Sequence, residues 1–184
     1  MLKGKLNWLL CGLLTACTTS SPGTPEPRIF ESEYIKFRMP SNWVCVLENY
    51  EWVCEEEGGA RAKDARYILT AKIKGKGDTL DAYFKRLSQP KKITGFDGSK
   101  WESKVVYVKY SEISGEKWAE AVHEDGEVKG YSTRYLATVH DDVAILLTFT
   151  AMSSRLPKYV DVIDDSVRTL RFPHFRGVAE DHRY

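Results

Sequence analysis

Hydrophobic and polar positions alternate along most of this chain with the period of a half-buried strand, and twice they switch to the period of a helix. Tyr34-Ile35-Lys36-Phe37-Arg38 alternates, and Met39-Pro40-Ser41-Asn42 breaks it. Two β-rich runs, Trp43 to Leu47 and Trp52 to Glu55, then flank the polar pair Asn49-Tyr50, the pattern of a tight hairpin. Further on, Tyr67, Leu69, Ala71 and Ile73 share one strand face, with Thr70, Lys72 and Lys74 on the other and Ile68 the exception among them. Leu80, Tyr83, Phe84 and Leu87 fall at i, i+3, i+4 and i+7, an apolar helical stripe that Asp78 is placed to cap and that Pro90 follows. Trp101 to Tyr110 reads as a strand, and a second lies around Trp118 to His123 between turns at Gly115 and Asp125-Gly126. Tyr131 to His140 and Val143 to Ala151 form a hairpin about Asp141-Asp142, and Val143, Ile145, Leu147 and Phe149 line the inner face of its second strand. A last helix, capped by Ser154 with Pro157 in its first turn, carries the stripe Leu156, Tyr159, Val160, Ile163, Val167 and Leu170. Arg171-Phe172 is placed to add a closing edge strand. Tight turns between consecutive strands imply a mostly antiparallel β-sheet, and the two apolar helices imply an α+β domain with helices flanking that sheet.

The first residues do not fit this pattern. Met1 to Lys5 is basic, Leu6 to Leu14 is apolar, and the segment is too short to span a bilayer core, which takes about 20 residues. The run ends in Leu14-Thr15-Ala16-Cys17, which resembles a bacterial lipoprotein signal: an aliphatic residue, two small ones, then a cysteine. The resemblance implies a signal peptide over residues 1–16, cleavage before Cys17, and acylation of the Cys17 thiol, the palmitate-type modification of such proteins. Two or three acyl chains hold a protein on a membrane firmly, since each buried methylene contributes about 0.8 kcal/mol. The residue after Cys17 is Thr18 and not an aspartate, which favours the outer membrane, facing the periplasm. Residues 17–29 then form a tether rich in Pro, Ser and Thr, and Thr18 to Arg28 reaches about 35–40 Å when extended. The globular domain occupies residues 30–172, and 173–184 is a polar tail without a period.

Cysteine usage agrees with export. Of four cysteines, Cys11 leaves with the leader and Cys17 takes the lipid, which leaves Cys45 and Cys54. With Asn49-Tyr50 as a two-residue loop, Glu48 faces Glu51, Leu47 faces Trp52, Val46 faces Val53 and Cys45 faces Cys54. Opposed Cβ atoms lie within about 5 Å, so the pair is placed to form a disulfide in an oxidising compartment, the alternative being two unpaired core thiols.

The order of elements from residue 30 to 172 resembles the PsbP-like superfamily, whose bacterial members include DcrB-like envelope lipoproteins. The resemblance rests on Tyr34-Ile35-Lys36-Phe37 leading to Pro40-Ser41-Asn42-Trp43, on the early helix, and on Leu146-Leu147-Thr148-Phe149 followed by the stripe Leu156 to Leu170. It implies an antiparallel sheet between helices, and a binding or assembly role without enzymatic activity. It carries over no site residues, and the disulfide and tail depart from the pattern.

Composition narrows the function further. The 184 residues carry 27 basic and 26 acidic side chains, and loss of the leader's two lysines takes the formal charge from +1 to −1. A nucleic-acid partner is not expected on that balance. The four histidines, His123, His140, His174 and His182, form no zinc spacing, and no cofactor is expected. His123-Glu124-Asp125 and His140-Asp141-Asp142 read as polar turns that could make a metal or hydrolytic site only by converging in space. Gly75-Lys76-Gly77-Asp78 lacks the P-loop pattern, and Gly130-Tyr131-Ser132-Thr133-Arg134 lacks the last glycine of a nucleophile elbow. Lys72, Lys74, Lys76, Lys85, Arg86, Lys91 and Lys92 are concentrated in one stretch, either a solvated surface or a basic face for an anionic partner. The chain therefore reads as a lipid-anchored cell-envelope module that binds an envelope protein or cell-wall partner without catalysis. The alternatives are a periplasmic domain binding a small molecule or lipid between sheet and helix, and a hydrolase using residues such as His123, His140 and Asp141.

Overall fold

The computed structural model describes residues 26–58, 64–95 and 97–173. Cys17, the leader, most of the tether, and His174 and His182 of the tail lie outside them. Eleven strands and two helices follow in order: β1 (Arg28–Glu31), β2 (Lys36–Met39), β3 (Trp43–Glu48), β4 (Glu51–Glu56), β5 (Ala65–Ile73), α1 (Leu80–Leu87), β6 (Lys92–Thr94), β7 (Lys100–Glu102), β8 (Lys104–Ile113), β9 (Glu116–Glu124), β10 (Tyr131–His140), β11 (Val143–Met152) and α2 (Leu156–Arg168). Seven strands make one antiparallel sheet in the order β3-β4-β5-β11-β10-β9-β8, with β1-β2 and β6-β7 as separate two-stranded ribbons. This is the α+β architecture expected from the pattern, with a helix on each face.

Local chemistry explains most of the boundaries. Asn49, with φ of 58°, turns the β3–β4 hairpin, and its register is the one the two-residue loop dictates, Cys45 opposite Cys54 and Leu47 opposite Trp52. A disulfide joins the two cysteines, whose Cα atoms are 4.0 Å apart. Ser114 and Asp141 take left-handed backbone in the β8–β9 and β10–β11 turns. Helix α1 is capped by Thr79 and not by Asp78: Thr79 Oγ1 accepts from the Ala82 amide at 3.1 Å. Asp78 is already engaged, accepting from the Gly75 amide at 2.8 Å and the Tyr83 hydroxyl at 2.7 Å and pairing with Lys72 at 2.8 Å. Helix α2 starts from Arg155, with no side-chain cap and Pro157 in its first turn, so Ser154 does not cap it.

Two more sequence expectations are corrected. The strand read as continuous from Trp101 breaks at Ser103, whose hydroxyl accepts from the Lys91 amide at 2.8 Å and bonds His123 Nδ1 at 3.0 Å. Arg171 makes a single bridge to Lys36 rather than an edge strand. Strand β1 also takes in Arg28 and Ile29, the last two residues of the stretch read as tether.

The two faces of the sheet are packed differently. Beneath α2 and the β1–β2 ribbon lies the main core, where Tyr67 meets Phe149 edge-on at 4.7 Å and Trp43 at 5.3 Å, closed by Tyr159, Ile163 and Val167 of α2. Under α1 the sheet presents Ala119, Ala121, Ala137 and Ala144. These small side chains let the helix sit close, with Tyr83 and Leu87 as its buried contacts. Two members of the expected apolar faces turn out exposed, Ile73 at the open end of β5 and Val160 on α2.

Candidate functional site

The chain enters the described fold near Arg28, whose guanidinium donates to the Trp43 carbonyl at 2.9 Å. Strand pairing places Trp43, Ala65, Ala151 and Ser132 along that end of the sheet. The opposite end carries the β1–β2 turn, the β3–β4 hairpin tip and the Asp141-Asp142 turn, and there an aromatic strip is exposed.

Tyr34 is its centre. Ser32 holds the turn, its Oγ accepting from the amides of Tyr34 and Ile35, each at 3.2 Å, so that Tyr34 stands at the end of the sheet. On one side a hollow of about 400 Å³ is lined by Tyr34, Leu47, Asn49, Tyr50, Trp52 and Ala71. The left-handed Asn49 carries Tyr50 out at the tip, 88% exposed, and Leu47 beside it is 52% exposed. Trp52 is half-buried, its ring held edge-on to Phe30 at 5.5 Å. On the other side a second hollow of about 240 Å³ is lined by Tyr34, His140, Asp141, Val143, Ile145 and Phe172. Ala71 and Ile145 are cross-strand neighbours, so the two hollows form one strip.

The polar groups of the strip are mostly acidic or paired. His140 lies between carboxylates, Nδ1 at 2.9 Å from Glu116 and Nε2 at 3.6 Å from Asp141, and its ring stacks on Phe172 with centroids 4.0 Å apart. Lys74 pairs with Asp142 at 2.8 Å and Lys36 with Glu31 at 2.6 Å. Lys74 holds the Asp142 carboxyl below its usual range, and a hydrogen bond to Glu33 raises the Tyr34 phenol. Among the described residues, those lining the His140 hollow include a base and acids but no serine, threonine or cysteine. Such a surface is suited to holding a partner: exposed Tyr and Leu around a half-buried Trp, rimmed by charge.

The other residues singled out in the sequence lie elsewhere. His123 is not in a turn but inside β9, fully buried, bonded to Ser103 and through Nε2 to the Leu87 carbonyl at 2.8 Å. It faces Thr133 on β10, whereas His140 ends that strand seven positions on, about 23 Å away along the strand. The structure therefore does not bring His123, His140 and Asp141 together, and among the described residues no three His, Cys, Asp or Glu side chains group to hold a metal. Gly75 to Asp78 is a strand-to-helix turn whose Gly75 amide is taken by Asp78 itself. Ser132 is buried in β10. The basic stretch divides: Lys72, Lys74 and Lys91 are paired with Asp78, Asp142 and Glu127, while Lys76, Lys85, Arg86 and Lys92 have no acidic partner within 4.0 Å among the described residues.

Sequence reading missed a charged network under α2. Glu120, buried in β9, accepts from Tyr107 at 2.8 Å and from Arg134, and Ser111 also donates to it. Burial alone would raise its carboxyl, but the hydroxyls of Ser111 and Tyr107 and the cations Arg134 and Lys109 outweigh this and hold it below the usual glutamate range. The signal was present, because Glu120 shares its strand face with Trp118 and Val122.

No protein-family model matches the chain, and no curated protein matches it in sequence. Solved structures do match it in fold. The cyanobacterial PsbP (CyanoP) of Synechocystis superposes with a TM-score of 0.59 at 10% identity, over 88% of this chain and 100% of its own. The Ran-binding protein Mog1p of Saccharomyces cerevisiae superposes with a TM-score of 0.52 at 8% identity, over 79% of this chain and 95% of its own. A Pseudomonas aeruginosa protein of unknown function gives 0.50 at 11%, over 78% and 94%. At these identities the likeness is one of fold, and the fold is PsbP-like. Among the described residues no helix is long and apolar enough to cross a membrane.

Proposed function

We propose that this chain is a lipid-anchored module of the cell envelope that binds a protein or cell-wall partner through the strip centred on Tyr34, and that it is not an enzyme. The observation that carries the reading is the continuity of that strip, in which Tyr50, Leu47, Trp52, Tyr34 and Phe172 meet from three separate segments of chain. Its position supports the reading. Chain entry near Arg28 is at one end of the sheet and the strip at the other, so a body tethered through lipidated Cys17 would hold the strip away from the bilayer. Placement at the outer membrane, facing the periplasm, follows from the leader and Thr18. The Cys45–Cys54 disulfide agrees with an oxidising compartment. Mog1p, which shares the fold, is a Ran-binding protein, which supports a protein partner for this chain.

The test is site-specific photocrosslinking in the native envelope. A photoreactive residue at Tyr50 should give a discrete crosslinked partner, and the same residue at Val128, on another part of the surface, should not. Leu47→Ser with Trp52→Ser should remove the Tyr50 crosslink while leaving the protein folded and exported. Equal labelling from both positions would contradict the reading.

A further inference from the structure

A further cavity, of about 320 Å³, lies on the other face of the sheet, between the last turn of α1 and the strands. Its walls are Tyr83 and Leu87 from the helix, Pro90 from the turn after it, and Tyr135 and Leu146 from the sheet, with His123 as the floor. The polar groups inside are already occupied. Both nitrogens of His123 are bonded, to Ser103 and to the Leu87 carbonyl, so it offers the cavity only ring carbons. The Tyr135 hydroxyl donates to Glu127 at 2.7 Å, and the Lys91 ammonium is held by the same carboxylate. The interior therefore asks nothing of a ligand but hydrocarbon.

The rim differs. Arg86 lines the cavity, lies over the Tyr83 ring at 5.6 Å, and has no acidic partner within 4.0 Å among the described residues; neither does Lys85 beside it. An apolar cavity with an unpaired guanidinium at its mouth is complementary to a single-chain anionic amphiphile. A methylene displaces about as much volume as a water molecule, so the space holds on the order of ten chain carbons. We infer that this cavity binds the acyl chain of a fatty carboxylate, with Arg86 pairing its head group. The inference is independent of the Tyr34 strip, which lies on the opposite face of the sheet.

The test uses the full-length chain with Cys17→Ser, its disulfide formed, and a dodecanoate bearing a photoactivatable diazirine in its tail. Peptide mapping should place the label on segments containing Tyr83, Leu87 or Leu146. Unlabelled dodecanoate should compete, and dodecyltrimethylammonium, with the same chain and opposite charge, should compete at least about tenfold less well. Arg86→Ala should weaken binding about tenfold or more, the loss of one charged hydrogen bond. Leu146→Phe should block the cavity from within. Gln89→Trp, at an exposed rim position that leaves the core untouched, should block it from outside, so a folding defect in the first variant does not decide the matter. Label confined to other segments, or equal competition by the cationic amphiphile, overturns the inference. Binding to phosphatidylglycerol vesicles that survives Gln89→Trp, without dodecanoate labelling, also overturns it, because the basic face would then recognise head groups at a surface.

Discussion

Arg134 donates from Nε to one oxygen of Glu120 at 3.0 Å, with Nη2 of the same ion pair 2.9 Å from that oxygen, and from Nη1 to Asp164 of α2 at 2.7 Å. Strand and helix are thus tied by a buried carboxylate that sits 2% exposed beneath a guanidinium 20% exposed. The two charges are not equivalent, because Arg134 keeps a second carboxylate if Glu120 is removed. Glu120 keeps only Lys109, at 3.5 Å, and two hydroxyls if Arg134 is removed. Arg134→Leu should therefore destabilise by about 3–5 kcal/mol, and Glu120→Leu by less. The double variant should be more stable than Arg134→Leu alone, as urea unfolding of the three will show.

The buried histidine gives stability a pH dependence of definite sign. Burial holds the His123 imidazole below its ordinary value, against the hydrogen bond to Leu87 that favours the charged form. The unfolded chain takes up that proton near pH 6.5, so this contribution is complete above that pH and is lost as pH falls toward the lower folded value. Glu120, held below its usual range, adds a second loss further into acid. Urea midpoints measured from pH 8 to pH 5 should fall with pH, and His123→Gln should flatten the upper part of that slope whatever its effect on the plateau.

The disulfide closes a short loop, with a sequence separation of nine. On the chain-entropy account it stabilises by roughly 2–3 kcal/mol. The pair Cys45→Ala with Cys54→Ala should lose about that much in denaturant unfolding, and thiol titration of the exported, unfolded protein should find neither Cys45 nor Cys54 free.

Gly126 sits against the network around the α1 cavity. A Cβ there would lie 2.8 Å from the Tyr135 hydroxyl and 3.0 Å from His123 Cβ. Gly126→Ala must displace the Tyr135–Glu127–Lys91 cluster or the strand carrying His123, and should cost about 1–3 kcal/mol in thermal or urea unfolding.

What the sequence made legible follows the range of the interactions involved. The β3–β4 register was readable to the residue because a two-residue turn determines it locally. The caps of both helices were misplaced by one position, because Asp78 is recruited by Lys72 and Tyr83 from outside the helix start, and because α2 begins without a side-chain cap. Ile73 was read as inward from its alternation, yet β5 ends there and no described residue covers it. His123 looked like a turn residue beside Glu124-Asp125, and only the partners Ser103 and Leu87, remote in sequence, show why it is buried. The candidate site was the least legible, since Tyr34, Leu47, Tyr50, Trp52, His140 and Phe172 have no common spacing and meet only because three turns and the chain after α2 converge at one end of the sheet.

We propose that a lipid on Cys17 holds this domain to a membrane. Intact-mass and N-terminal peptide mass spectrometry of protein taken from its native envelope tests it most directly. We expect a mature chain beginning at Cys17, with a diacylglyceryl group on sulfur. A chain that retains Met1 to Ala16 and carries an unmodified Cys17 thiol would contradict the account.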